Sequence, residues 1–479
     1  MPKTPEDNSN SQLSRREFLA ADVAVSAALF TAVGSAKNSK APLKTGARVP
    51  GANDRINIAF IGNGMQFQTL LDMFQKRRQE KNDVEFVAVC DVWEPRLKYA
   101  QQRSGAAKTY RDYREVLGRS DIDGVVLAVP DHWHYPMARA ALLAGKDVYL
   151  EKPMTHTLEE SARLNDLVNR TGRMLQVGGD GPANRLYWKA NEFIKAGRMG
   201  KILWGLISYN RNTRTGMWDY PIPGVGSDAW PDAKVTPENL DWKMWLGSAP
   251  KRRYSAERYF RWRKFWDYST GNAGDLLYHR LGVMSTMIGF DFPSRGMAAG
   301  GIYVQKDREV PDTYLTLLEY PGDYSVNMVS CMGNATSAPV TVYGNWGTLE
   351  IVQQQAAMDS MGDQRHAPQG TPAPRRPRTV AVVKAERDFL KEFKAANDGQ
   401  TEVTIEAEEG PNLPEDWLNS VRNRQSPAYN VLRGYQVMAG IAMGVESYRT
   451  GKLVAFDPVR RTVLSSPPRH KEFPPPENS

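Results

Sequence analysis

The sequence predicts an α/β protein: a parallel, doubly wound sheet with helices on both faces, followed by a second domain built mainly on antiparallel strands. Three observations predict it. Between residues 55 and 177, apolar runs of strand length alternate with helical stretches, the pattern of a parallel sheet covered on both faces. The first of these strands runs directly into Gly62-Asn63-Gly64 and then a helix, the order in which a nucleotide-binding turn is built. Beyond residue 200 the strand-like runs follow one another across hairpin-like turns.

Composition bounds the rest. The 479 residues are 41% hydrophobic and 24% charged, which is a folded globular mixture of several domains. Lys and Arg outnumber Asp and Glu by 62 to 54; the excess is scattered and leaves no nucleic-acid footprint. Two cysteines, Cys90 and Cys331, exclude a disulfide framework and a cysteine-rich zinc site. No apolar run is long enough and free enough of charge for a multi-span membrane protein.

In chain order, Ser14-Arg15-Arg16-Glu17-Phe18-Leu19 opens a weakly apolar run to Val33, and Gly34-Ser35-Ala36 supplies small residues. Basic region, apolar region and cleavage site in that order read as a twin-arginine signal over residues 1–36. The expected location is therefore periplasmic or otherwise exported, with the twin-arginine machinery as a partner and no stable membrane insertion once the signal is removed. Residues 37–54 form a polar linker.

Residues 55–177 form the dinucleotide-binding unit. Ile56 to Ile61 is a strand, Gly62-Asn63-Gly64 the turn, and Met65, Gln66 and the following residues a helix. The first glycine permits the turn, the second lets the backbone approach a pyrophosphate, and the helix N-terminus attracts its charge. Phe67 occupies the place of a third glycine, so helix and strand should pack less closely there. Val84 to Cys90 is the next strand and ends at Asp91, an acid placed to accept from ribose hydroxyls. That acid favours NAD over NADP, while Arg96 nearby leaves NADP open. Asp123 to Pro130, Tyr135 to Ala144 and Asp147 to Leu150 continue the strand–helix alternation as far as Glu151-Lys152-Pro153. Gly62, Asp91, Pro130 and Glu151 all fall at carboxyl ends of strands, where such sheets bind ligands.

These residues resemble the Gfo/Idh/MocA oxidoreductase family. The likeness rests on the Gly62-x-Gly64 turn, Asp91, Pro130-Asp131-His132-Trp133-His134 and Glu151-Lys152-Pro153. It continues through Gln176-Val177-Gly178, Gly197-Arg198-Met199-Gly200-Lys201 and Leu240-Asp241-Trp242-x-x-Trp245-Leu246-Gly247 to about Pro458. The resemblance implies a Rossmann domain paired with a C-terminal α/β domain over residues 178–458, whose large open sheet carries the substrate face. It also implies pairing through that sheet, hence a homo-oligomer. The residues support the second domain independently: 201–210, 313–320, 324–332 and 340–352 are strand-rich and separated by Pro321-Gly322-Asp323 and Gly344-Asn345-Trp346-Gly347. Residues 353–379 read as an exposed loop, 433–449 as a late helix, and 459–479 as a polar, Pro-rich tail.

The chemistry concentrates at three places. Lys152, at the mouth of the cofactor cleft, can hydrogen-bond a substrate hydroxyl and favour its alkoxide-like form. Asp275 and His279 stand four residues apart and share one face if the segment is α-helical; Asp275 orients and His279 takes a hydroxyl proton near neutral pH. The family's Asp-x-x-x-His motif matches both, but Gly282 stands where relatives often have another acid. Gly62, Asn63, Gly64, Met65, Gln66, Asp91, Pro130, His132, His134, Glu151 and Lys152 are the expected cofactor contacts. For His132 and His134 a cofactor-edge or structural role is expected and no metal, because no third ligand follows at sensible spacing. Trp218, Tyr220 and Trp230 lie in a Gly/Pro-rich segment, and Arg261, Trp266 and Tyr268 lead up to Asp275. Of these, Trp218, Arg261, Trp266 and Tyr268 are the expected carbohydrate contacts, since aromatic faces pack on sugars and charged groups bind hydroxyls.

The expected activity is an exported, nicotinamide-dependent oxidation or reduction of a sugar or sugar-like polyol with a tightly held cofactor. The alternatives are a redox-neutral, NAD-dependent glycoside hydrolase of the same family and a non-catalytic carbohydrate-binding relative.

Overall fold

The computed structural model describes residues 55–179, 181–223, 234–353 and 379–464. The expected signal, the linker, Trp230, nearly all of the 353–379 loop and the last part of the tail lie outside the described residues. Among the described residues no helix is long and apolar enough to cross a membrane.

The first sheet has six parallel strands: β1 (Ile56–Ile61), β2 (Val84–Cys90), β3 (Lys108–Tyr110), β4 (Gly124–Leu127), β5 (Asp147–Leu150) and β6 (Leu175–Val177). Their spatial order is β3-β2-β1-β4-β5-β6. The order reverses between β1 and β4, so a crevice opens beyond their carboxyl ends. β4 and β5 are buried along their whole length, as strands covered on both faces must be. Leaving β1, Gly62 adopts φ +86°, and a Cβ there would lie 2.5 Å from the Ala128 carbonyl oxygen. Only glycine satisfies both the dihedral and the approach. At the third-glycine position, Phe67 is 1% exposed and packs edge-to-face on Phe60 at 5.3 Å; an aromatic pair takes the place of close backbone contact.

The second sheet has ten strands: β7 (Ile202–Ser208), β8 (Arg295–Gly301), β9 (Thr313–Tyr320), β10 (Tyr324–Cys331), β11 (Thr341–Gly344), β12 (Gly347–Gln353), β13 (Thr379–Ala385), β14 (Glu402–Glu406), β15 (Val454–Asp457) and β16 (Thr462–Leu464). They run in the order β14-β13-β12-β11-β7-β10-β9-β8-β15-β16, and only the β7–β10 pairing is parallel. Two expectations are corrected. The sheet runs past Pro458, because β16 pairs with β15. The C-terminal segment is also not confined to its own sheet. Helix 413–423, opened by an Asn412/Glu415 capping box, sets the fully buried Trp417 edge-on to Phe74 and Tyr149 of the first domain. The chain therefore returns to complete the first domain's core. Helix 431–450 packs on β8 and on helix 158–171, and one continuous core joins both sheets.

Candidate active site

The site forms where β5 delivers Glu151-Lys152-Pro153 beside the glycine turn. Gln66, in the first turn of helix 65–81, donates to Glu151 Oε1 at 3.0 Å. Burial pushes the Glu151 carboxyl up, while Lys152, Gln66 and His279 oppose the shift. Lys152 Nζ donates to both the backbone oxygen and Oδ1 of Asp275, 2.9 Å each. Arg263 Nε donates to the same Oδ1 at 2.8 Å, and Trp218 Nε1 donates to Oδ2 at 3.0 Å. Burial alone would raise the Asp275 carboxyl; Arg263 and Lys152 overcome it and hold the group well below the usual carboxylate range.

Asp275 lies in a π-helical turn, Ala273–Leu277, that leads into helix 278–288. The expected single α-helical face is therefore corrected. The wider turn changes the phase between Asp275 and His279, as π-turns at functional sites do. Asp275 holds the Lys152 ammonium. His279 stands nearby, its ring edge-on to Tyr209 with 6.2 Å between centroids. At Gly282, where the family often has a further acid, a Cβ would meet the Tyr429 hydroxyl at 3.1 Å, a tight approach.

At the cofactor end, Asp91 is 6% exposed. Its Oδ2 accepts from Asn63 N at 2.7 Å and its Oδ1 from Trp93 N at 2.9 Å, which clamps the glycine turn to the end of β2. The Asn63 side chain is fully buried with neither polar atom partnered. Gly64 caps helix 65–81 without a side-chain hydrogen bond, and a Cβ there would have nothing nearer than Arg96, 3.7 Å away. An uncapped N-terminus, open space above the second glycine and an acid at the end of β2 fit a dinucleotide. Met65, 51% exposed, borders this opening.

Pro130 caps helix 131–143. His132 Nε2 lies 3.0 Å from the Trp245 carbonyl oxygen, and His134 Nδ1 and Nε2 lie 2.5 and 2.9 Å from the carbonyl oxygens of Pro153 and Val129. Burial pushes His132 down to about 3 and His134 to about 4, so both rings are neutral. His134 thus stands between the end of β4 and the turn that carries Lys152.

The expected carbohydrate contacts divide. Trp218, 1% exposed, reaches the site by holding Asp275. Arg261 spends its guanidinium on Glu257, Asp219 and the Tyr220 carbonyl. Trp266 packs against Tyr448 and Arg449. Tyr268 is 0% exposed within a second small core of Trp93, Leu240, Trp245 and Tyr259. Tyr268 is thus corrected to a packing residue; Arg261 and Trp266 are half-buried. The aromatic richness of this segment has its own cause: it builds that core against the chain leaving β2, where Trp93 bridges Leu240 and Asp241 N donates to the Val92 carbonyl.

Two site residues escaped the sequence reading. Arg263 stood in the Arg261-Trp262-Arg263 run, but nothing in the spacing told which arginine faces Asp275. Asp131, the first residue of helix 131–143, is 2% exposed and its Oδ2 lacks a hydrogen-bond partner. Burial pushes its carboxyl up to about 7, against the pull of Arg263 and Lys152. Its signal was a charged residue in the turn after a buried strand.

Two family models match. Residues 56–179 match the oxidoreductase family, NAD-binding Rossmann fold, and residues 247–456 match the oxidoreductase family, C-terminal alpha/beta domain. A glycosyl hydrolase family 109 protein of Shewanella sp. (strain W3-18-1) is 30% identical over 251 residues, covering 45% of this chain and 54% of that protein. The chain thus spans about half the length of this curated relative. Among solved structures, the WlbA dehydrogenase from Bordetella pertussis, in complex with NADH and UDP-GlcNAcA, superposes with a TM-score of 0.57 at 17% identity, over 84% of this chain and 99% of that one. A levoglucosan dehydrogenase, in complex with NADH and levoglucosan, gives the same TM-score of 0.57, 17% identity and coverages of 84% and 99%. At these identities the two structures speak for the fold.

Proposed function

The chain belongs to the Gfo/Idh/MocA oxidoreductase family, and from that premise we propose that it is an exported, NAD-dependent oxidoreductase acting on a sugar or sugar-like polyol. The observation that carries the reading is the Lys152 ammonium, pinned by Asp275 at the carboxyl edge of the parallel sheet beside the glycine turn. Gly62, Asn63, Gly64, Gln66 and Asp91 would hold the dinucleotide. When bound, the nicotinamide supplies hydride acceptance or donation at one substrate carbon. Lys152 donates a hydrogen bond to the reacting oxygen and stabilises its developing negative charge. Asp275 and Arg263 keep that ammonium in place, and His279 receives the hydroxyl proton. The dehydrogenases of the same fold, crystallised with NADH and sugars, support the substrate class.

The twin-arginine pattern at residues 14–19 supports export in the folded state, with the cofactor loaded beforehand. Outside the cell no free nicotinamide pool is expected, so the cofactor stays bound and is restored within each cycle by a second, carbonyl-bearing substrate that takes the hydride back. The open sheet face, carrying exposed Met297 and Leu315, supports a homo-oligomer. The family 109 relative favours a second reading, redox-neutral glycoside cleavage by oxidation, elimination and re-reduction. That route needs a further base. Tyr278 does not supply it, being buried with its hydroxyl donating to the Gly434 carbonyl; the phenol of Tyr220, 6.0 Å from Arg263, is the better placed. The test is to purify the exported protein without added cofactor and assay neutral sugars and aryl glycosides. Sustained turnover without external NAD is expected. Strict stoichiometric consumption of added NAD, with none co-purifying, would contradict the bound-cofactor reading.

A further inference from the structure

We propose that the substrate carries an oxyanion, carboxylate or phosphate, and that Arg211 and Arg280 bind it; this rests on the reading of the cleft as a sugar oxidoreductase site. Tyr209, at the end of β7, presents its ring edge-on to His279. Two guanidiniums gather on that same ring. The Cζ atoms of Arg211 and Arg280 each lie 4.7 Å from its centroid, and Arg211 also donates to the Tyr209 hydroxyl. Both arginines are half-buried.

Neither has a carboxylate within 4.0 Å among the described residues, and Arg280 Nε is buried without a hydrogen-bond partner. Their neighbours behave differently. Arg252, Arg258, Arg261, Arg263 and Arg308 are each paired with an acid. Two cations sharing one ring repel each other, and partial burial weakens the screening that would otherwise hide the repulsion. The phenol ring offsets part of that cost by cation–π attraction, but it brings no charge.

A planar guanidinium fork matches carboxylate and phosphate oxygens. The anion would sit beyond His279, at the far end of the sugar from the carbon that exchanges hydride. An anion held there serves binding more than the chemical step.

The experiment uses the NAD-loaded full chain and titrates three probes: a neutral methyl hexoside, the corresponding methyl hexuronoside and a hexose 6-phosphate. Binding is read by calorimetry and turnover by absorbance. The expected result is that one of the two charged probes binds at least about 10-fold more tightly than the neutral one, as charge-assisted pairing requires. Which charged probe does so identifies the oxyanion. The preference should vanish in Arg211→Gln and in Arg280→Gln, with NAD content and melting temperature unchanged. Arg280→Lys, which keeps the charge and loses the fork, should retain part of it and guards against a glutamine variant that fails to fold. Equal or tighter binding of the neutral hexoside, or a preference surviving in both glutamine variants, overturns the proposal and leaves the sugar oxidoreductase reading standing. Absence of binding and turnover with all three probes overturns both.

Discussion

Replacing Asp275 by Asn removes one negative charge and almost no volume from the centre of the site. The carboxylate now accepts from Lys152 at 2.9 Å, from Arg263 at 2.8 Å and from Trp218 at 3.0 Å. An amide can offer its single oxygen either to the two cations or to the indole, and it turns an N–H donor toward the other. Either way two cations lose a shared counter-ion in a site where Lys152 and Asp275 side chains are 13% and 10% exposed. Breaking a buried pair by removing one partner costs about 3–5 kcal/mol. We expect Asp275→Asn to lower turnover by about 10²–10³-fold. NAD binding should be nearly unchanged, because the glycine turn is clamped separately by Asp91. The assay is steady-state kinetics alongside NAD calorimetry. Unchanged turnover, or a loss of turnover that comes with collapsed NAD binding, would refute the positioning role and leave Asp275 as a structural residue.

Two further outcomes follow from the geometry. Gly62→Ala forces a side chain onto a φ of +86° and to within 2.5 Å of the Ala128 carbonyl; we expect a loss of roughly 2–5 kcal/mol from strain and overlap, read as lost NAD affinity and a lowered denaturation midpoint, and near-native values for both would contradict it. Asp131, pushed up to about 7 by burial, keeps a proton in the native state that the unfolded chain loses near pH 4, so its contribution to stability is present at low pH and lost as pH rises through that window. Asp131→Asn should therefore gain on the wild type by roughly 2–4 kcal/mol between about pH 4 and pH 7, and parallel stability curves for the two proteins would show that the carboxyl is ordinary.

Much of this arrangement is legible in the residues because local rules and tertiary demands agree there. The strand, glycine turn and helix at residues 56–81 and the acid at Asp91 are set by contacts close in sequence or by a recurrent βα unit, and the structure keeps them. Lys152 and Asp275 were each singled out, but their ion pair joins residues 123 apart in sequence, which no periodicity encodes. The π-turn at Ala273–Leu277 looks like ordinary helix in sequence, since apolar spacing does not reveal one extra residue in a turn. Tyr268 misled for a physical reason: aromatic residues serve a hydrophobic core and a sugar face equally well, and only burial separates the two uses. β8, Arg-Gly-Met-Ala-Ala-Gly-Gly, has little strand propensity and owes its place to pairing with β9 along its whole length. Helix 413–423 returns to the first domain through Trp417, a long-range contact invisible to a reading that divides the chain at one boundary.

The central claim is that a sugar oxygen held by Lys152, itself held by Asp275, exchanges hydride with a bound nicotinamide. The most direct measurement mixes enzyme, NAD and a saturating sugar at equal enzyme and cofactor concentrations, and follows the near-ultraviolet absorbance of reduced nicotinamide within one turnover. The account predicts a fast rise in the wild type with a primary isotope effect when the reacting carbon carries deuterium. It predicts a rise slowed by about 10²-fold or more in Lys152→Ala, with NAD still bound. No reduced nicotinamide from any sugar that the protein binds, or a rise as fast in Lys152→Ala as in the wild type, would contradict it.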